Sequence, residues 1–571
     1  MGEYFKELMN EENDFEVDDV QPIEGPIKEV DKNEVRQAVG AMKTGKAAGP
    51  TGLTTEMMKA AGESGVIEFT KVLADVWKKE TIPDEWKRSL TVTIYKGKGD
   101  PLQCNSYRGI RLLEHPMKVM EKVLENRLRE IVNIDKWQRG FMKGRSTTDA
   151  IHVLRQLQEK YVEKKRTLFH VFVDLEKAFD RVPRKVIVWA LRRQGVPEKL
   201  IHLVMSLYED SNSCVRKENG DSTNFPISVG VHQGSALSPL LFIVVMEEIS
   251  KECRRGAPWE MLFADDLVLT SESEDEVKDM FLNWRTALER RGLKVNLGKT
   301  KLLVSGDKKE NEETGRYPCA VCRKGVGSSS IQCSKCRKWV HKRCSGMRTL
   351  TNMTRFQCSR CTNTSESGRT ECGNLGIGDE CIERVDRFCY LGDMMSSNRG
   401  TTDAVRTRVK AMWSKWRQLS SLLLNKSIPL KIRGMVYRTC LRPVMCYGSE
   451  TWAMTKANQS ILEVTEMRML RWMCRVKLED QVSNIEVLER VDVEKLENIL
   501  RRNRLRWFGH VERRGKGSVL KTVEDVEVDG VKPRGRPKNT WKKTIEEDLK
   551  KIGLQKNICQ DRETWRHRIR V

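Results

Sequence analysis

Asp265 and Asp266 stand side by side between two short apolar runs, Met261-Leu262-Phe263-Ala264 and Leu267-Val268-Leu269-Thr270. Such runs read as strands, so the spacing predicts a β-hairpin carrying both acids at its tip. Carboxylates at an open tip suit a hard divalent cation such as Mg²⁺, which takes one or two protein oxygens and leaves positions for substrate phosphates. Taken alone, the pair is more commonly an exposed Asp-Asp turn. A further acid, Asp174, ends the continuous apolar run Leu168-Phe169-His170-Val171-Phe172-Val173, the pattern of a strand buried on both faces. The strand would fix that acid while the following turn opens the site. A capping role at the next helix is the competing reading for Asp174 and Asp180, and it is the one held for Asp180.

Soft ligands form a separate group. Cys319-x₂-Cys322, Cys333-x₂-Cys336, His341-x₂-Cys344 and Cys358-x₂-Cys361 make four pairs, enough for two tetrahedral Zn²⁺ sites. The segment is short and poor in apolar residues, flanked by Gly, Ser and Thr, so metal would supply most of its folding energy. Of 17 cysteines in the chain, the scattered remainder read as buried thiols rather than disulfides.

These sites need a large scaffold. At 571 residues and 66.0 kDa the chain exceeds one hydrophobic core and predicts three or four units of ordinary domain size. A formal charge of +23 and a pI near 9.3 point to a polyanionic partner, nucleic acid ahead of anionic membrane. No run of about 18 apolar residues occurs and Met1–Asn10 lacks a secretory layout, so an intracellular, soluble protein is expected.

The positioning elements follow in order. Residues 1–40 are acidic and weakly periodic and read as a solvated linker. Lys43–Gly52 is a Gly/Lys/Pro loop without the Gly-Lys-Ser/Thr ending of a nucleotide phosphate loop. Met117, Met120, Leu124, Leu128 and Ile131 predict an amphipathic helix over 116–132. Around it, Tyr107-Arg108-Gly109-Ile110-Arg111, Gln138-Arg139-Gly140-Phe141 and Gly144-Arg145 set arginines beside glycines, where a backbone could approach a phosphate. Residues 199–210 read as a helix. Gln233-Gly234-Ser235 forms a small-residue turn before the apolar helix 240–249, where Gln233 could reach a nucleotide.

Together, Val173-Asp174-Leu175…Ala178-Phe179-Asp180, Gln233-Gly234-Ser235…Ser238-Pro239, Phe263-Ala264-Asp265-Asp266 and Gly292-Leu293-Lys294-Val295-Asn296…Lys299-Thr300-Lys301 resemble the motifs of non-LTR (LINE-like) reverse transcriptases, in their order. The resemblance spans roughly residues 41–300. Gly109 and Arg111 depart from it, because the family usually has Pro and Ser there. It implies an α+β right-hand polymerase of fingers, a palm with an antiparallel sheet and a helical thumb, copying an RNA template from a DNA primer with dNTPs. The implied units are fingers 41–165, palm 166–306, a zinc insert 307–380, primer grip and thumb 381–475 and a basic region 476–571.

Carried over by position, Asp174, Asp265 and Asp266 would hold two Mg²⁺, and Lys299 would protonate the leaving pyrophosphate. Two such ions can stabilise the attacking and leaving oxygens of an in-line displacement, which calls for carboxylates from different strands. Leu175, Phe179, Gln233, Gly234 and Arg108 would meet the nucleotide or template, with Phe179 excluding a 2′-hydroxyl. Phe388-Cys389-Tyr390-Leu391-Gly392 resembles the primer-grip turn. The order Cys₄-His-Cys₃ with Trp339 resembles a PHD finger, in which Cys319, Cys322, His341 and Cys344 bind one Zn²⁺ and Cys333, Cys336, Cys358 and Cys361 the other. A histone tail is then a partner, with Trp339 either a cage wall or a core residue of the finger.

Trp413, Trp416, Trp452 and Trp472 fit a thumb or a tryptophan-pinned helix bundle. Residues 501–571 hold 21 Lys/Arg against 10 Asp/Glu, with Arg504, Arg506, Trp507, Arg534 and Arg536 as expected nucleic-acid contacts. A nuclear location follows from these partners. The implied element carries an endonuclease ahead of the polymerase, so a truncated product is expected. The competing function is a catalytically silent, domesticated chromatin- or RNA-binding protein.

Overall fold

The computed structural model describes residues 1–97, 99–216, 220–306, 319–322, 326, 330–334, 338–346, 356–358, 374–398, 400–530 and 539–570. Its strands are β1 (Arg88–Tyr95), β2 (Tyr107–Leu113), β3 (Leu168–Val173), β4 (Asn212–Val215), β5 (Phe225–Pro226), β6 (Glu260–Phe263), β7 (Asp266–Ser271) and β8 (Lys301–Ser305). Beyond these come β9 (Ser330–Gln332), β10 (Trp339–His341), β11 (Leu375–Ile377), β12 (Glu380–Val385), β13 (Arg387–Tyr390) and β14 (Asp393–Ser396). Mixed sheets and many helices give an α+β architecture.

β3 organises the largest sheet, whose order is β11-β12-β8-β3-β7-β6. It pairs antiparallel with β7 on one side and β8 on the other, so its backbone groups are satisfied along both edges. Its side chains alternate between two cores, as the two-residue strand period requires. Val171 and Val173 enter one core with the helices Arg184–Arg193, Ser238–Ser250 and Glu274–Arg290. Leu168 and Phe172 enter another with the helix Thr147–Glu163. The 238–250 helix is apolar around its circumference and buried, as expected of a helix covered on every side.

A smaller sheet has the order β2-β1-β4-β5, two strands from ahead of β3 in the chain and two from after it, and the helix His115–Ile131 follows β2. Helices Thr402–Leu423, Leu430–Val436, Lys456–Cys474 and Asn484–Val491 share a third core. Trp413, Trp416 and Trp472 cluster there with ring centroids 5.5 to 6.4 Å apart, while Trp452 is buried and donates to Asp393. Within that core, Glu466 accepts from both Arg442 and the Tyr437 hydroxyl. Among the described residues no helix is long and apolar enough to cross a membrane.

Two sequence readings change here. The first 40 residues are not a solvated linker. The helix Gly2–Leu8 buries Phe5 and Leu8 against Val215, Phe225 and Ile227, and Lys32–Ala41 begins with a capping box at Asp31. The acids between them find cations, Glu11 on Arg181, Glu16 on Arg290 and Asp18 on Arg291. Such short pieces carry too few turns for periodicity to reveal them.

The basic end, likewise, is not a free tail. Helices Leu496–Glu512, Trp541–Ile552 and Arg562–Arg568 join the core of the 147–163 helix through Leu505, Phe508, Trp541 and Trp565. Arg504, expected on nucleic acid, is buried and forms a two-bond pair with Asp548 at 2.7 and 3.0 Å. Trp507, expected to stack on bases, is buried between His152 and His510.

Removing one member of a buried ion pair strands the other charge in a poor dielectric, at a cost of about 3–5 kcal/mol. Asp548→Ala is therefore expected to lower the urea midpoint followed by tryptophan fluorescence, and Arg504→Met/Asp548→Leu to recover most of the loss.

Candidate functional site

The β6–β7 hairpin turns through Ala264 and Asp265, with Phe263 paired to Asp266 across it. Ala264 has φ of +59°, the left-handed conformation that the first central position of such a two-residue turn demands. A side chain there costs about 1 kcal/mol relative to glycine. External contacts hold the turn. The Ala264 amide donates to Gln138 Oε1 at 2.8 Å, and the Arg139 amide donates to the Leu262 carbonyl at 2.7 Å. A Cβ on Gly140 would collide with the Ala264 amide nitrogen, so only glycine lets this segment lie against the hairpin.

Register then brings the acids together. Val173 pairs with Leu267, so one step further along each strand places Asp174 level with Asp266. The Asp174 backbone is clamped by the segment leading into β8, its amide donating to Thr300 Oγ1 at 3.3 Å and its carbonyl accepting from the Asn296 amide at 2.8 Å. The three carboxylates feel one another. Asp265 is raised above the usual carboxylate range by burial and then by Asp174, with Arg108 opposing. Asp266 is pushed up to about 7, by the protein mass around it and then by Asp265 and Asp174. Its side chain is nevertheless open to solvent, so the direction carries the meaning: neighbouring negative charges resist a further one. Carboxylate oxygens are the ligands that hard divalent cations take.

Two cations act on the acids, Lys299 on Asp174 and Arg108 on Asp265. Lys299 Nζ lies 3.2 Å from Asp174 Oδ2. Lys96 has its pKa lowered by burial and then by Arg108, Lys177 and Lys299, four basic groups close enough to repel. Lys96 and Lys177 escaped the sequence reading, although Tyr95-Lys96-Gly97 at the end of β1 carried the same Lys/Gly signal as the loops that were noticed. Phe179 stacks on Phe242 with centroids 4.3 Å apart and meets Phe141 edge-on. Leu175 is buried and bridges to Val295.

Several expected site residues serve the scaffold instead. Asp180 is not a helix cap. It is buried and accepts from Gln233 Nε2 on both oxygens, at 2.7 and 2.8 Å, so the Gln233 amide is engaged by protein. Arg111, one of the departures from the family pattern, is fully buried with Asp180 as its nearest opposing charge. A Cβ on Gly234 would meet the Arg111 carbonyl at 2.7 Å. Gly109 and Gly140 allow close approach to Phe5 and Ala264 rather than to phosphate, and Arg139 is buried. Arg108 alone of that group is exposed.

β13 and β14 form a hairpin whose turn, Leu391-Gly392, has φ of +45° and +81°. Phe388 stacks on Phe172 of the central strand at 4.2 Å, and Arg155 forks Asp393 at 2.7 and 3.0 Å. The hairpin is thereby locked to the large sheet.

Cys319, Cys322, His341 and Cys344 place their ligand atoms within 4.8 Å of one another, a Cys₃His cluster of the kind that holds Zn²⁺. Burial would raise Cys319, but amides of Cys322, His341 and Val321 bring it to about 6, while burial and the neighbouring sulfurs push Cys344 up to about 11. Cys333 and Cys358 are also adjacent, the Cys358 amide donating to Cys333 Sγ at 3.3 Å. Their expected partners Cys336 and Cys361, like Arg534 and Arg536, lie outside the described residues. Trp339 is half-buried in β10 opposite Gln332.

Residues 94–317 match the family model described as reverse transcriptase (RNA-dependent DNA polymerase), and residues 319–361 match that of the PHD-finger. The chain is 23% identical over 463 residues to a Drosophila melanogaster protein described as "Probable RNA-directed DNA polymerase from transposon BS", covering 78% of this chain and 45% of that one. To the RNA-directed DNA polymerase from mobile element jockey of the same species it is 21% identical over 542 residues, covering 93% and 53%. To the retrovirus-related Pol polyprotein from a type-1 retrotransposable element R2 of Nasonia vitripennis it is 26% identical, covering 48% and 27%. The chain spans about half the length of the first two relatives.

The Cys₃His cluster sets a direct test. Cys319→Ser in the full chain is expected to remove one equivalent of zinc per molecule by elemental analysis, and unchanged zinc content would mean that the cluster holds none.

Proposed function

We propose that this relative of non-LTR retrotransposon polymerases extends the 3′-hydroxyl of a DNA primer on an RNA template. The observation that carries the proposal is the convergence of Asp174 with Asp265 and Asp266 at one end of the large sheet, where the charge of Asp174 adds to the rise in pKa of the other two. In this reading the β2-β1-β4-β5 sheet and its helices are fingers, the six-stranded sheet is the palm, and the helices over 402–491 are the thumb.

The three acids would hold two Mg²⁺, which supply charge stabilisation to an in-line nucleotidyl transfer. Lys96, Arg108, Lys177 and Lys299 stand where a nucleoside triphosphate would bring its negative charge. Lys299, paired to Asp174 in the absence of substrate, is free by its length and exposure to turn to the pyrophosphate and give it a proton. Phe179, braced flat against Phe242, presents an aromatic edge to the sugar. Asp180, Gln233 and Gly234 support that wall through the Asp180–Gln233 bonds and the approach of residue 234 to β2, and Leu175 fixes the strand exit. The Leu391-Gly392 turn, locked to the palm by Phe388 and Asp393, would bear on the primer.

The PHD finger would hold a second Zn²⁺ on Cys333, Cys336, Cys358 and Cys361, and the adjacency of Cys333 to Cys358 supports this. A histone tail is its proposed partner and the nucleus the proposed location.

With a primed RNA template, dNTPs and Mg²⁺, Asp265→Asn is expected to abolish extension while leaving the melting temperature within a few degrees, because the acid lies at an open turn; normal extension by the variant would remove the assignment. Lys96→Ala is expected to raise KM for dNTP by about tenfold, the loss of one charge-assisted contact.

A further inference from the structure

A cavity of about 520 Å³ lies away from the three acids, lined by Gly144, Thr148, Glu450, Asn503, Arg506, Trp507, His510, Arg513, Arg514, Arg562, Trp565 and Arg566. Its volume falls within the range of ordinary ligand pockets. The lining follows from helix geometry. Asn503, Arg506, Trp507 and His510 fall at i, i+3, i+4 and i+7 of the 496–512 helix, and Arg562, Trp565 and Arg566 at i, i+3 and i+4 of the 562–568 helix, so each set shares one face. Gly509 lets the two helices meet, since a Cβ there would press into the Trp565 ring and the Arg513 guanidinium.

Five guanidinium groups therefore share one space with a single carboxylate, Glu450. Arg506, Arg562 and Arg566 make no ion pair among the described residues. Arg514 donates to the Gly144 carbonyl, and Arg513 to the Cys559 carbonyl at 2.5 Å, neutral acceptors that leave the charge uncompensated. Burial and then Arg502, Arg566 and Arg570 lower the Arg506 pKa, the electrostatic mark of crowded like charges. Trp507, more than nine-tenths buried, closes one wall of the cavity, with its Nε1 covered by protein. It therefore offers no stacking face.

We infer that this cavity binds the phosphodiester backbone of a single nucleic-acid strand. Guanidinium forks match phosphate oxygens, and the start of the 147–163 helix at Thr148 adds a positive dipole end. Both lining tryptophans are buried, so the contacts run to the backbone and binding is independent of base sequence. The cavity is also tied to the acids. Arg514 holds Gly144, the adjacent Arg145 donates to the Gln138 carbonyl, and Gln138 Oε1 takes the Ala264 amide at the carboxylate turn. A strand seated here is on its way to or from that turn. Which strand it is, template or product, rests on the polymerase reading, but the binding itself does not.

The test uses the full chain and fluorescence anisotropy with labelled single-stranded RNA, single-stranded DNA and a blunt duplex, across a salt series. Arg506→Ala/Arg566→Ala removes two exposed, unpaired cations. It is expected to weaken single-strand binding by about tenfold or more and to flatten the salt slope by about 1.4, roughly 0.7 per lost phosphate contact. Arg506→Lys/Arg566→Lys is expected to keep most of the affinity. Lys542→Ala/Lys543→Ala, which removes the same charge from exposed positions outside the cavity, is expected to change it little.

The RNA and DNA arms identify the strand. Equal losses from the arginine and lysine pairs would overturn the cavity as a site, as would an unchanged slope. Tighter binding of poly-glutamate than of either strand at equal charge would overturn it in favour of an acidic protein. Weakened binding with full extension by Asp265→Asn would sink the polymerase reading and leave this inference standing.

Discussion

Mutual repulsion among Asp174, Asp265 and Asp266 is the constraint on which the rest of the structure rests. Carboxylates left to themselves would separate or take up protons, and Asp265 and Asp266 are raised in pKa by burial and then by the acids the fold holds beside them. β3 is fixed along both edges and on both faces, β7 is fixed to β3, and the register leaves no freedom at the ends where the acids stand. The large sheet thus keeps like charges together. The energy for this comes from the apolar cores on either face of β3, which are remote from the charges and insensitive to them.

The turn bearing Asp265 depends on residues far away in the chain. Ala264 adopts a backbone conformation that favours glycine, and Gln138 and Gly140 secure it from 126 and 124 residues upstream, one by a hydrogen bond and one by lacking a side chain. A similar economy appears at the Leu391-Gly392 hairpin, which gains its position from Arg155 and Phe172. In both places a short turn displays the surface feature and an interior contact determines where it points.

Features governed by local pattern were legible in the sequence. The hairpin around the paired acids, the strand 168–173 and the helix found at His115–Ile131 follow from two-residue and 3.6-residue periods, and the Cys/His pairs from ligand spacing. Features governed by what a residue meets across the fold were not. Arg504 and Trp507 look like nucleic-acid contacts in a basic stretch, yet Asp548 neutralises one and two histidines enclose the other. Asp180 resembles a cap until Gln233 is seen to donate to it. The opening residues look solvated because the surfaces that Phe5 and Leu8 bury against belong to β4, β5 and Ile227, far along the chain. Charge and composition could not say which cations are paired: of the expected contacts Arg504 is engaged by Asp548 while Arg506 makes no ion pair among the described residues, and Arg566 was not singled out.

The chain leaves the large sheet at β8 and, after the segment that matches the PHD-finger model, returns as β11 and β12, the latter in parallel register against β8 with Lys301 and Glu383 joined at 2.7 Å. Closing so long an excursion costs conformational entropy, and the cost grows with the number of residues free to move. Ligands drawn into a compact metal cluster shorten the effective tether. Zinc occupancy would therefore be felt at the rim of the sheet, making the hold of β11 and β12 responsive to the metal supply of the surroundings.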